Sequence, residues 1–136
     1  MPYDPMFVQP MREELTRVGF EELRRPEDVD RAVAQPGRML LFVNSICGCA
    51  AGVARPGVSQ SLRDPAAPKR LTTVFAGQDV EATARARSYF GGMPPSSPQV
   101  AILEDGKLLF LLQRQEIEGR TADQVAAALT TAYGRL

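Results

Sequence analysis

The chain contains no histidine, and that absence removes the side chain that most often serves as a general base near neutral pH. Ser59, Ser61, Ser96 and Ser97 therefore have no imidazole to activate them, and a serine hydrolase of the Ser-His-Asp kind is excluded. There are only two cysteines, Cys47 and Cys49, so one chain cannot supply the four His or Cys ligands of a structural zinc site. Neither sign of charge prevails. Sixteen basic and sixteen acidic residues give a formal charge of zero, and with no basic block or aromatic-basic interleaving neither nucleic acid nor an anionic membrane is an expected partner. No apolar run approaches the roughly 20 residues of a membrane span. The first residues, Met1-Pro2-Tyr3-Asp4-Pro5-Met6, lack the basic and apolar regions of an export signal. The expected location is the cytoplasm, where a cysteine pair is kept reduced and is more often catalytic than structural. A length of 136 residues suits one domain, 1–136, with a substantial core.

What is present is concentrated in one stretch, Asn44-Ser45-Ile46-Cys47-Gly48-Cys49-Ala50-Ala51-Gly52. It follows Arg38-Met39-Leu40-Leu41-Phe42-Val43, which after its first residue is continuously apolar, the pattern of a strand buried on both faces. A helix is expected to start just beyond the cysteines. Open α/β sheets place their sites at the C-terminal ends of strands, and a helix N-terminus favours the reactive thiolate. Residues two apart have Cα atoms roughly 5.5 to 7 Å apart, a span that reaches the disulfide window only when the backbone folds tightly, and Gly48 permits that. Such a disulfide is expected to be strained and more oxidising than a relaxed one, which favours thiol exchange or isomerisation. Three other readings stand beside exchange chemistry: two inert buried thiols, half of a metal or cluster site completed by a second chain, and a structural disulfide closing too short a loop to stabilise much.

Taken in order, Asp4-Pro5 can cap and open a helix with Met11, Leu15 and Val18 as its apolar stripe, and Pro10 is expected to delay its regular part to 10–18. Residues 20–23 alternate as a short edge strand. Pro26 opens a second helix with acids in its first turn and Val29, Ala32 and Val33 on one face. A helix over 50–62 should be broken or kinked by Pro56. Residues 64–69 are a loop, 71–76 a strand rich in β-branched residues, and 80–90 a helix stopped by Gly91-Gly92. Those two glycines suit a helix stop better than a phosphate loop. Met93-Pro94-Pro95-Ser96-Ser97-Pro98 runs into the strand Val100-Ala101-Ile102-Leu103, and Ser97-Pro98 is the bond expected to be cis. Asp105-Gly106 forms the turn of a hairpin whose second strand is 108–112. Thr121 and Gln124 form a capping box for a last helix that buries Val125, Leu129 and Ala132. The class is α/β, with early parallel crossovers and a terminal antiparallel hairpin.

This order resembles the thioredoxin fold: a central mixed sheet of four to five strands flanked by helices, here with an extra N-terminal helix. More narrowly, the Cys-Gly-Cys stretch with Ala54-Arg55-Pro56, Val74-Phe75-Ala76-Gly77-Gln78-Asp79, Tyr89-Phe90-Gly91-Gly92-Met93-Pro94-Pro95-Ser96-Ser97-Pro98 and Glu118-Gly119-Arg120 is similar to the bacilliredoxin family of bacterial Cys-Gly-Cys proteins. The resemblance covers nearly the whole chain. It implies a cytosolic thiol–disulfide oxidoreductase that removes the small thiol bacillithiol from mixed disulfides on client proteins, with disulfide isomerase activity associated with some members. It further implies that Cys47 attacks, that Cys49 resolves, and that Ser97 and Pro98 form the loop where an extended peptide pairs. No tightly bound cofactor is expected; bacillithiol is a co-substrate. The chain departs from ordinary thioredoxins in lacking the tryptophan and first proline of their motif, and their buried acid falls here on Leu41, leaving Glu116 and Glu118 as possible substitutes. The rival activities are a protein disulfide isomerase, a general thiol reductase and a non-enzymatic metal- or cluster-binding module. Arg55 could favour the thiolate, against the alternative of a solvated helix position.

Overall fold

The computed structural model describes residues 2–136. Helix α1 spans Pro5–Thr16, strand β1 Glu21–Glu22, α2 Pro26–Ala34, β2 Arg38–Asn44, α3 Arg55–Ser61, β3 Arg70–Phe75, α4 Val80–Arg87, β4 Gln99–Glu104, β5 Lys107–Leu112 and α5 Ala122–Arg135. The five strands lie in the order β1-β3-β2-β4-β5. β3 runs parallel to both β1 and β2, whereas β4 is antiparallel to β2 and to β5. The mixed sheet and its flanking helices are those expected.

β2 is the middle strand, and its uninterrupted apolar run is explained by helices on both sides of the sheet. Leu40 and Phe42 face Val58, Val125 and Leu129 from α3 and α5. Leu41 and Val43 face the opposite layer, with Val29 from α2 and Ala82 from α4. The period-2 alternation of a strand thus feeds two cores at once.

Where α3 crosses α5 the packing leaves no spare volume. A Cβ at Gly57 would lie 2.9 Å from the Ala122 carbonyl oxygen and from Val125 Cβ. Gly57→Ala is therefore expected to destabilise by about 2–3 kcal/mol through overpacking, despite alanine's better helix propensity. A urea midpoint equal to or above that of the unaltered protein would contradict this.

Several boundaries differ from the sequence expectation. α1 is regular from Pro5 onward, because the Asp4 carboxylate accepts from Met6 N at 2.9 Å and the Asp4 carbonyl from Phe7 N. Pro10 lies inside it, on an exposed face where one missing N–H is tolerated. The buried stripe is consequently Val8, Arg12 and Leu15, and Val18 falls beyond the helix and is exposed. Arg12 is buried because Glu22 and Asp79 bind its guanidinium at 2.8 and 2.9 Å and Phe75 lies beneath it. α4 ends at Arg87, and Tyr89 and Phe90 follow in tight turns before Gly91 and Gly92, both at positive φ. The Asp105-Gly106 hairpin turn, also at positive φ, is as expected.

Candidate functional site

Register alone gathers the site. Asn44 pairs with Phe75 in the parallel ladder, so residues after β2 and after β3 emerge side by side. Val43 pairs with Gln99 in the antiparallel ladder, which brings the residues preceding Gln99 alongside those following Val43. Val100 pairs with Leu112, adding the residues after β5 to the same edge. The cysteine stretch, Ala76-Gly77, Ser97-Pro98 and Arg114 therefore converge at one end of the sheet.

The Ser97–Pro98 bond is cis. Its loop is held by a chain of side chains. Arg87 donates to Gln99 Oε1 at 3.1 Å and to the Ser96 carbonyl at 2.7 Å. Gln99 Nε2 and Ser96 Oγ both donate to Gln113 Oε1, at 2.7 and 2.6 Å, and Gln113 Nε2 reaches the Pro94 carbonyl. Pro98 is buried and Ser97 half-buried.

Cys47 sits at the start of a helical segment, its carbonyl accepting from Ala50 N and Ala51 N at 2.9 and 3.2 Å. Residues 48 and 49 are helical, 50–54 form one wide π-turn in which Arg55 N bonds the Ala50 carbonyl, and α3 follows. Pro56 does not break the helix: it occupies the first turn of α3, and the change of winding lies just before it. Gly48 is not among the residues at positive φ, so the dithiol pair needs no special dihedral there. Both cysteines are free and half-buried, their sulfurs 2.6 Å apart.

The two thiols are electrically unlike. Burial opposes the thiolate at Cys47, but the Cys49 thiol, the backbone N–H groups of Cys49 and Ala50 and the Arg114 cation together outweigh it and hold Cys47 below the ordinary cysteine value. Cys49 is pushed up to about 11 by burial first, then by its hydrogen bond to Cys47 and the charge there, with Glu118 adding and Arg114 subtracting. Arg114→Gln is accordingly expected to move the Cys47 titration upward. Ultraviolet thiolate absorbance followed against pH checks it, and an unmoved curve would remove Arg114 from the account.

Arg55 is not solvated. It is buried, donating to Asn44 Oδ1 at 3.0 Å, to the Ser45 carbonyl at 2.9 Å and to Glu14 Oε1 at 3.0 Å. It braces the loop before Cys47, while the cation beside the sulfurs is Arg114. Leu41, in the place of the thioredoxin acid, is wholly buried. Glu116 is occupied in capping Gln113 N, and Glu118 pairs with Arg114 at 3.0 Å. Cys47 lines a groove of about 340 Å³ with Tyr3, Gly77, Arg87, Ser97 and Arg114. Tyr3 is placed there by its own N–H to Gln78 Oε1 and by its ring lying against Gly77. Tyr3, Arg87 and Arg114 were not legible beforehand, since no local pattern marks a lone tyrosine or arginine as facing a distant sulfur. Among the described residues no group of three or more His, Cys, Asp or Glu is gathered to hold a metal ion, and no helix is long and apolar enough to cross a membrane.

Comparison with known proteins places the chain in a family and a fold. The family model described as "Disulphide isomerase" matches residues 3–136. A bacilliredoxin of Koribacter versatilis is 52% identical over 132 residues, 96% of this chain and 91% of that protein. One from Geobacillus kaustophilus is 52% identical over 126 residues, 93% of this chain and 87% of that protein. Among solved structures, oxidised mitochondrial thioredoxin 3 of Saccharomyces cerevisiae superposes with a TM-score of 0.57 at 13% identity, covering 86% of this chain and 95% of that one. At that identity the likeness shows the thioredoxin fold alone.

Proposed function

The chain belongs to the bacilliredoxin family and is a thiol–disulfide oxidoreductase, and on that premise we propose that it frees client proteins from mixed disulfides with bacillithiol, acting in the cytoplasm as one domain over 1–136. The Cys47 thiolate attacks the bacillithiol sulfur. The old S–S bond breaks, the client leaves as a thiolate, and bacillithiol stays on Cys47 through the new S–S bond. The exchange is neutral in electrons. Cys49 then attacks Cys47, releasing bacillithiol as a thiolate and leaving the internal disulfide, which a reductant of the thiol class must reopen. Ser97 and Pro98 offer backbone to an extended client segment beside the groove.

The observation that carries this reading is the geometry of two free sulfurs 2.6 Å apart at a helix start, with Arg114 lining the same groove as Cys47, an arrangement that tunes the two thiols in opposite directions. It also supplies the order of events. Two of the influences that hold Cys49 protonated are the Cys47 hydrogen bond and charge, and both vanish once Cys47 is tied up in a mixed disulfide. Burial, the largest influence on Cys49, persists, and the first step eases resolution by removing the other two.

The "Disulphide isomerase" description of the matching family model favours a second reading, rearrangement of client disulfides. Rates on one client carrying bacillithiol, on the same client carrying glutathione, and on a protein with scrambled disulfides separate the two. Faster release of bacillithiol than of glutathione is expected. Activity confined to the scrambled protein would overturn the proposal in favour of the isomerase.

A further inference from the structure

The groove beside Cys47 has a one-sided charge. Among the described residues, its ionisable lining side chains besides Cys47 are Tyr3, Arg87 and Arg114, and no carboxylate lines it. Both guanidiniums are aimed by neighbours rather than left free to wander. Arg87 is fixed through Nε and Nη2 to Gln99 and Ser96, and Arg114 through Nε to Glu118, with a longer Nη1 contact of 3.4 Å to the Ser97 carbonyl. Among the described residues, Arg87 Nη1 and Arg114 Nη2 make no hydrogen bond, and neither is a fully buried atom. One guanidinium nitrogen on each of two residues that line the groove thus remains without a partner, and the groove, at about 340 Å³, has the size of a small-molecule site and not of a folded partner.

Which half of a mixed disulfide occupies this space follows from the exchange. The client sulfur departs, whereas the small half is retained on Cys47 and must fit the groove that Cys47 lines. We propose that Arg87 and Arg114 make the groove selective for small thiols bearing carboxylates, each guanidinium donating charge-assisted hydrogen bonds to carboxylate oxygens. This rests on the exchange reading at Cys47 and adds specificity-determining residues to it.

The test uses one reporter peptide disulfide-linked in turn to mercaptosuccinate, to 2-mercaptoethanol and to cysteamine, which carry two negative charges, none and one positive. Each rate is divided by that of free 2-mercaptoethanol on the same substrate, a thiol with no charged group besides the attacking sulfur, which removes intrinsic reactivity. The unaltered protein is expected to favour mercaptosuccinate over cysteamine by about tenfold, a preference that shrinks as salt screens it. Arg114→Gln and Arg87→Gln should each reduce that ratio by about threefold or more, and Arg87→Lys by less. A change in Cys47 reactivity cancels in the ratio, and the salt response of the unaltered protein stands even if one variant folds poorly. A flat ratio in the unaltered protein, or one unmoved in both glutamine variants, overturns the proposal. So does a preference that follows Asp or Lys placed beside the disulfide in the peptide rather than the charge of the small thiol. Flat charge response with active exchange sinks this inference alone, whereas exchange persisting in Cys47→Ser sinks the reading beneath it.

Discussion

Cys47→Ser is expected to lose exchange on every mixed disulfide by at least about 10³-fold, the scale on which removal of a covalent nucleophile is felt, while Cys49→Ser completes the first exchange and then stalls. A hydroxyl at position 47 would remain protonated at neutral pH despite the same two backbone N–H groups and the same Arg114 cation, because its acidity lies far above that of a thiol. Mass spectrometry separates the two variants. Cys49→Ser should accumulate one small thiol on Cys47, and Cys47→Ser should carry none. The pH dependence follows from the same asymmetry. Rate rises as Cys47 gives up its proton, a step shifted below the ordinary cysteine value because the Cys49 thiol, the helix start and Arg114 favour the thiolate. From there to about 11, where Cys49 also ionises, the dithiol carries one charge. Full activity in Cys47→Ser with loss in Cys49→Ser would reverse the assignment.

The second large effect is structural and lies at a residue that touches no substrate. Arg55→Met is expected to destabilise the protein by about 2–4 kcal/mol. The methionine fills much of the volume but cannot satisfy the Ser45 carbonyl, and it leaves Glu14 without its partner. Leaving buried polar groups unpaired in this way costs several kcal/mol when one side of a buried pair is removed, here moderated because Glu14 is 43% exposed. Asn44 Oδ1 would keep its bond from Ser45 N, so the loop should loosen rather than collapse. The expected signature is a lowered urea midpoint together with a Cys47 titration moved toward the ordinary value, since the loop that sets Cys47 against its N–H donors is no longer braced. Arg63→Ala, at an exposed position, should stay within about 0.5 kcal/mol. Equal effects from the two changes would show that burial of Arg55 contributes nothing.

The placement of the pair was legible from spacing. Two cysteines around one glycine, at the exit of an apolar strand, already suggested a thiolate at a helix start, and the donors to Cys47 are the backbone N–H groups such a placement supplies. The proline-led strand, the Asp105-Gly106 turn and the Thr121-Gln124 capping box were legible for the same reason. Each is written in residues within one turn of each other. The first helix was misjudged because its periodicity allowed two phases, and the true one buries an arginine whose partners, Glu22 and Asp79, come from elsewhere in the chain.

By itself, then, the sequence determined the order of elements, the two-layered burial of β2 and the placement of the two cysteines at a helix start, because hydrophobic period, turn chemistry and capping act over a few neighbouring residues. Only the tertiary structure decided that Arg55 is interior, that Arg114 faces the sulfurs, and that Tyr3 and Arg87 wall the same groove. These depend on strand order and register, which bring four distant loops to one sheet edge. Electrostatic influence depends on distance in space, and no local pattern in the chain records that distance.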